Sequence, residues 1–267
     1  MSESTARSDK YSRREFLFGA GGFATGAVIG AALGGGGLHL LPGVKAAEVK
    51  APPWPWPYKK LDPKVVAQRA YKGYYKGACC YGTFEAIIGE LADETGYPFT
   101  LIPTDTMRYG EGGVVGWASL CGSLNGASAA INYVSSEKVY PKLINELMGW
   151  YATEALPIFV PENPKAQIKV TSISGSPLCH VSVTNWSKAA GYGAFSPERG
   201  ERCARLTADV AAHAVELLNA EADGKFVAKY IPPVTISECM SCHGKKAQNN
   251  TRGEMDCVQC HGDPHKK

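Results

Sequence analysis

The chain has 267 residues, 45% of them hydrophobic and 20% charged, which is enough apolar material for one sizeable core plus an appendage. Its formal net charge is +3, and the first 46 residues hold five basic side chains (Arg7, Lys10, Arg13, Arg14, Lys45) against three acidic ones (Glu3, Asp9, Glu15). That leaves about +1 for the remainder, which excludes the basic footprint that a nucleic-acid partner requires.

Ser12-Arg13-Arg14-Glu15-Phe16-Leu17 is a twin-arginine export pattern. A weakly hydrophobic Gly/Ala-rich run from Phe18 to Leu41 follows it, then a small-residue exit at Val44-Lys45-Ala46. Residues 1–46 therefore read as a signal peptide cleaved near Ala46 or Ala47, and the mature chain as periplasmic. The run is long enough to span a bilayer if it stays attached, so the only membrane contact expected is through an uncleaved signal. Nine glycines between Gly19 and Gly37 lower its hydrophobicity and favour cleavage.

Residues 47–60, with Ala51-Pro-Pro-Trp-Pro-Trp-Pro-Tyr58, form a proline-rich extended linker. Asp62-Pro63 is an N-cap followed by proline at the first helical position, which predicts a helix running towards Tyr71. A second helix is predicted from about Cys80 to Leu91, with Phe84, Ile87, Ile88 and Leu91 on one face. Tyr97 to Gly116 reads as a loop, and its glycines lack the spacing of a dinucleotide-binding turn. Trp117 to Val134 predicts a buried helix packed closely through Gly122 and Gly126. Ser136 to Ala155 predicts an amphipathic helix, Lys165 to Ser174 a short extended stretch, and Val181 to Ala190 and Arg199 to Ala222 two more helices. Residues 61–230 thus form a mainly α, cysteine-bearing domain.

Beyond Ile231-Pro232-Pro233 the composition changes. From Thr235 to Lys267 there are four Cys, three His and few large aliphatic residues, so residues 231–267 cannot bury a core of their own. Cys239-Met-Ser-Cys242-His243 and Cys257-Val-Gln-Cys260-His261 each fit Cys-x-x-Cys-His. In that spacing two thiols add across the vinyl groups of one porphyrin, and the adjacent histidine lies under the iron as proximal ligand. The rival is a zinc ribbon, because fourteen residues separate the two Cys pairs. A histidine directly after both pairs, and export to the compartment where haem is attached, favour two haems c on an irregular tail. The candidates for the distal iron ligands are His265, then His180, then His213. His265 is too close to His261 to cross that residue's haem, but it can serve the other one. His213 shares an apolar helix face with Leu206, Val210 and Leu217, which suits a core histidine better.

Cys79, Cys80, Cys121, Cys179 and Cys203 are spread over the helical domain. Disulfides, structural zinc, an iron–sulfur cluster and inert thiols are all compatible with their spacing, although folding before export favours a cofactor inserted in the cytoplasm. Gly77-Ala-Cys79-Cys80-Tyr-Gly-Thr-Phe84 and Cys121-Gly-Ser-Leu-Asn-Gly126 look like the cysteine pattern of a family of redox-active proteins. With the Cys-x-x-Cys-His tail, the chain after the linker resembles the split-Soret cytochrome c family. The resemblance implies a homodimer with closely stacked haems, bis-His ligation and one iron–sulfur cluster per chain. Carried over, it gives Cys80, Cys121, Cys179 and Cys203 as cluster ligands, with Cys80 chosen over its neighbour Cys79 for its place before Tyr81-Gly82. The function implied is electron transfer with redox partner proteins. The competing readings are a haem reductase of a small oxidant and a zinc-stabilised binding module.

Overall fold

The computed structural model describes residues 50–262 and 265; the expected export signal lies outside the described residues. The linker is extended but anchored. Trp56 is buried, its N–H donates to the Tyr133 carbonyl at 2.9 Å, and its ring meets Phe99 edge-on.

Helix α1 (Pro63–Thr95) begins where the sequence predicts, with the Asp62 carboxylate accepting from the Lys64 N–H at 2.8 Å and Pro63 in the first position. It is not one rod. Gly77 (φ −153°, ψ 24°) and Ala78 (φ 63°, ψ −170°) leave helical geometry. The chain doubles back there, so that the arms 63–76 and 79–95 correspond to the two helices expected. Arg69 on the first arm forms ion pairs with Glu85, Glu90 and Asp93 on the second. The arms touch through glycine: a Cβ on Gly82 would stand 2.7 Å from the Tyr74 nitrogen, closer than any real contact allows.

Two 3₁₀ turns, Phe99–Leu101 and Thr104–Gly110, occupy the predicted loop. Helix α2 (Gly122–Val134) starts five residues later than predicted. The preceding stretch is diverted because the N–H groups of Ala118 and Ser119 bond back to Gly112 and Gly113, while Cys121 N–H donates to the Pro177 carbonyl. Helix α3 (Tyr140–Thr153) takes Pro141 as its second residue. Strand β1 (Ala155–Leu156) pairs antiparallel with β2 (Ser172–Ile173), in register Ala155 with Ile173 and Leu156 with Ser172, so only the end of the predicted extended stretch is a strand. Helices α4 (Cys179–Ala190) and α5 (Pro197–Ala222) follow.

Helix α5 is the central element. Leu206, Val210, Ala214 and Val215 pack into one core with Ile87, Ile88 and Leu91 of α1, Leu124 and Ile131 of α2, and Leu143 and Leu147 of α3. Its first turns are locked by Glu201, which is fully buried. That carboxylate pairs with Arg205 at 2.7 Å and accepts from the Tyr71 and Tyr75 hydroxyls and the Lys165 N–H. Burial opposes its ionisation, yet these bonds hold its carboxyl below the usual range.

Helices α6 (Val234–His243) and α7 (Val258–His261) bury no side chain, as expected of a tail without a core. From Lys50 onward the chain is nevertheless one compact unit. The Lys229 and Tyr230 N–H groups donate to Glu146 of α3, and the Gln259 amide donates to the Gly175 carbonyl at 2.6 Å. Among the described residues no helix is long and apolar enough to cross a membrane.

Two substitutions test this packing. A methyl on Gly126 would collide with the Cys80 carbonyl, so Gly126→Ala should destabilise the protein by about 1–3 kcal/mol in thermal or denaturant unfolding. Ala78 sits in a backbone region reserved for glycine, and Ala78→Gly should raise the stability by roughly 1 kcal/mol.

Candidate metal centres

The reversal at Gly77–Ala78 sets Cys79 at the start of a helical arm. Cys121 is the N-cap of α2 and Cys179 the first residue of α4; Cys203 lies in the second turn of α5. All four line a single cavity of about 390 Å³, together with Tyr74, Tyr151, Ser182, Arg199 and Arg202. Three helix N-termini therefore present their positive dipole ends to the same thiols. Two arginines add full charges beside them.

Burial works in the opposite direction. It pushes the Cys79 thiol well above its ordinary value, an effect reinforced by the proximity of Cys121 and Cys203. It pushes Cys179 up to about 12, with Cys121 and Cys203 adding to the rise and Arg202 and Arg199 opposing it. Without metal these two thiols stay protonated at neutral pH, and loading the site must release protons. Among the described residues no three His, Cys, Asp or Glu side chains close on one point tightly enough for a single ion. The thiols share a cavity wall, in a wider arrangement than the tetrahedral shell of about 2.3 Å that zinc demands.

Cys80 is the member of the predicted set that the structure does not bring to this cavity. Adjacent helical residues point about 100° apart. Cys79 sulfur lies against Gly122, next to Cys121, whereas Cys80 sulfur lies against Gly110 on the other side, where a Cβ on that glycine would also approach Asn125. Cys80 is fully buried, and burial, then the nearby Cys121, pushes its thiol up to about 12. Sequence reasoning did not single out Arg202, Arg199, Tyr151 or Ser182. Only the position of Arg202 beside Cys203 could have flagged it.

The tail forms a second cavity, of about 600 Å³, lined by Cys239, Cys242, His243, Cys257, His261 and His265 among others. It is held shut at one edge by the Thr235 hydroxyl donating to Asp256 at 2.8 Å. His243 and His265 face each other with ring centroids 6.4 Å apart and planes 33° apart. Both rings line the tail cavity, so these two imidazoles could hold one metal ion between them. His243 Nδ1 is within 3.1 Å of Asn250 Oδ1, the kind of outer contact that fixes the orientation of a ligating imidazole. His180 is exposed at the start of α4 and does not line the tail cavity. His213 stacks on Trp150 at 4.1 Å and pairs with Glu216, the structural role its helix face suggested.

Residues 78–217 match the family described as "Putative redox-active protein (C_GCAxxG_C_C)". The chain is 37% identical over 264 residues to the split-Soret cytochrome c of Desulfovibrio desulfuricans, covering 93% of this chain and 94% of that protein. A solved structure described as showing a novel iron centre in the split-Soret cytochrome c of the same organism is 38% identical. It matches with a TM-score of 0.73 over 77% of this chain and 90% of that one.

The burial of Cys80 has a direct readout. In native protein at pH 8, iodoacetamide should leave Cys80 unmodified and label it only after denaturation, as mass spectrometry of the 77–108 tryptic peptide would show. Labelling of Cys80 in the native state would contradict the placement.

Proposed function

Because the chain belongs to the split-Soret cytochrome c family, we propose that it moves single electrons among two c-type haems on its tail and one iron–sulfur centre in its helical body. The protein is a periplasmic c-type cytochrome, an electron carrier rather than an enzyme. When bound, the haems and the iron–sulfur centre each supply a one-electron couple.

The observation that carries this reading is the meeting of Cys79, Cys121, Cys179 and Cys203 on one cavity beside a buried arginine. Four thiols, with no imidazole and only Glu111 as a carboxylate among the lining residues, are the donor set of iron–sulfur chemistry, whose centres bring their own bridging sulfides. Cys79 takes the place that the sequence assigned to Cys80. Cys121, Cys179 and Cys203, which line the same cavity, would be the other three ligands.

On the tail, Cys239 and Cys242 would hold one haem and Cys257 and Cys260 the other, with His243 and His261 as proximal ligands. The spacing of His243 and His265 supports His265 as the distal ligand of the first haem. The second haem has no such partner at hand among the residues lining the tail cavity. His180 of a second copy, exposed in each chain, would supply it in a homodimer. The exposed side chains of Ile231, Val234 and Met255 leave apolar area on the tail that a second copy would cover. Redox partner proteins complete the circuit.

Composition analysis tests the reading. Protein purified without oxygen should contain two haems per chain by pyridine haemochrome, plus non-haem iron with acid-labile sulfide. Stoichiometric zinc in place of that iron would overturn it. Cys79→Ala should abolish the non-haem iron while Cys80→Ala keeps it, at a cost of about 1–2 kcal/mol in stability for the lost buried sulfur. His265→Ala should convert one haem from low to high spin in the ferric absorbance spectrum and leave the other unchanged.

A further inference from the structure

Helix α5 carries two buried arginines one turn apart, and they are treated differently. Arg205 is ion-paired with Glu201 at 2.7 Å. Arg202 is 1% exposed and forms no ion pair with a carboxylate among the described residues. Its Nη2 donates to the Ser182 hydroxyl oxygen at 2.8 Å, its Nη1 stands 4.0 Å from the Cys203 sulfur, and its Nε has no partner at all. Asp209, on the same helix and within electrostatic reach of Arg202, directs its carboxylate oxygens to the Ile158 and Phe159 N–H groups instead of pairing with it. A permanent charge sealed from water without an opposite charge is strongly disfavoured, so a fold that keeps one there implies a negative group not supplied by the carboxylates around it.

That group is located by what Arg202 faces. Arg202 lines the cysteine cavity between Cys203 and Tyr151, and Tyr151 donates to the same Ser182 oxygen at 2.8 Å. Ser182 thereby holds the guanidinium in place without neutralising it. Resting on the reading that these four thiols hold an iron–sulfur centre, we infer that Arg202 is the fixed counter-charge of that centre, a positioning residue that sets its reduction potential. Four thiolates give the loaded site a net negative charge, and each electron it accepts adds one more. Arg202 takes up no proton and forms no bond in that step; its field favours the electron-rich state and raises the potential. The effect is strong because the site is buried and the charge cannot be screened by salt. Arg199, half-exposed at the cavity mouth and donating to the Ala194 carbonyl and towards the Tyr74 hydroxyl, is the weaker contributor.

The test is a redox titration of the full protein carrying Arg202→Lys or Arg202→Met, monitored by electron paramagnetic resonance, with iron, sulfide and haem content measured on the same samples. Arg202→Met should lower the reduced-to-oxidised ratio of the non-haem centre at least tenfold at a fixed potential, which is ~59 mV for a one-electron couple. Arg202→Lys should stay within about threefold of wild type, and both haem couples should be unmoved. Loss of the iron in Arg202→Met but not in Arg202→Lys, with helical content intact, supports the same requirement for charge. The inference is overturned if Arg202→Met keeps its iron at an unshifted ratio. It is equally overturned if Arg202→Lys fails alongside Arg202→Met, since shape rather than charge would then matter. Absence of non-haem iron from the wild-type samples would instead bring down the reading on which the inference stands, and the inference with it.

Discussion

The cysteine cavity depends on the chain reversal at Gly77–Ala78. A straight helix from Pro63 to Thr95 would be 33 residues long and would point Cys79 along a continuous backbone with no free N–H groups beside it. The break creates a new helix start at the cysteines and folds the second arm against the first. Gly73 and Gly82 make that fold possible by letting the two backbones touch, and the Arg69 ion pairs with Glu85, Glu90 and Asp93 brace it from outside. The strain accepted at Ala78 lies directly beside the residue whose orientation matters most. Strained backbone of this kind persists only where the surrounding structure holds it in place, and here Gly122 of α2 packs against the next two residues, Cys79 and Cys80.

Once the arms are folded, the electrostatics of the site is a contest between burial and orientation. Burial pushes the Cys79 and Cys179 thiols up, so metal must displace their protons. Helix N-termini at Cys79, Cys121 and Cys179, together with Arg202 and Arg199, oppose that effect and stabilise the sulfurs once they are anionic. The same contest explains why Cys80 stays an inert thiol. It is as buried as its neighbour but faces Gly110 and Asn125, with no arginine at hand. One helical step of 100° separates the residue that lines the cavity from the one that packs beside it.

Much of this was legible beforehand, and the remainder was not, for identifiable reasons. The Asp62-Pro63 start, the two arms of α1, the closely packed α2 and the core-less tail all follow from local rules of capping, periodicity and composition. α2 starts later than its sequence suggests because tertiary hydrogen bonds from Ala118, Ser119 and Cys121 pull residues 117–121 into a non-helical path that no local rule signals. The choice between Cys79 and Cys80 turned on helix phase after a break whose dihedral angles the sequence does not state. Arg202 was invisible for a different reason. Its significance lies in the absence of an ion pair, which only a folded structure can reveal.

The tail and the body also belong together more closely than a domain boundary near residue 231 suggests. Glu146, Gly149 and Gly175 hold Lys229, Tyr230 and Gln259, so the tail is seated on the helical body rather than tethered to it. The central claim is that iron resides in two separate places: under the tail histidines and among four thiols that include Cys79. Anomalous diffraction at the iron edge from crystals of the mature protein tests it directly. The account predicts one iron peak beside each of His243 and His261, and a further peak enclosed by the sulfurs of Cys79, Cys121, Cys179 and Cys203. A cavity with no iron peak, or a peak bonded to Cys80 instead of Cys79, would contradict it.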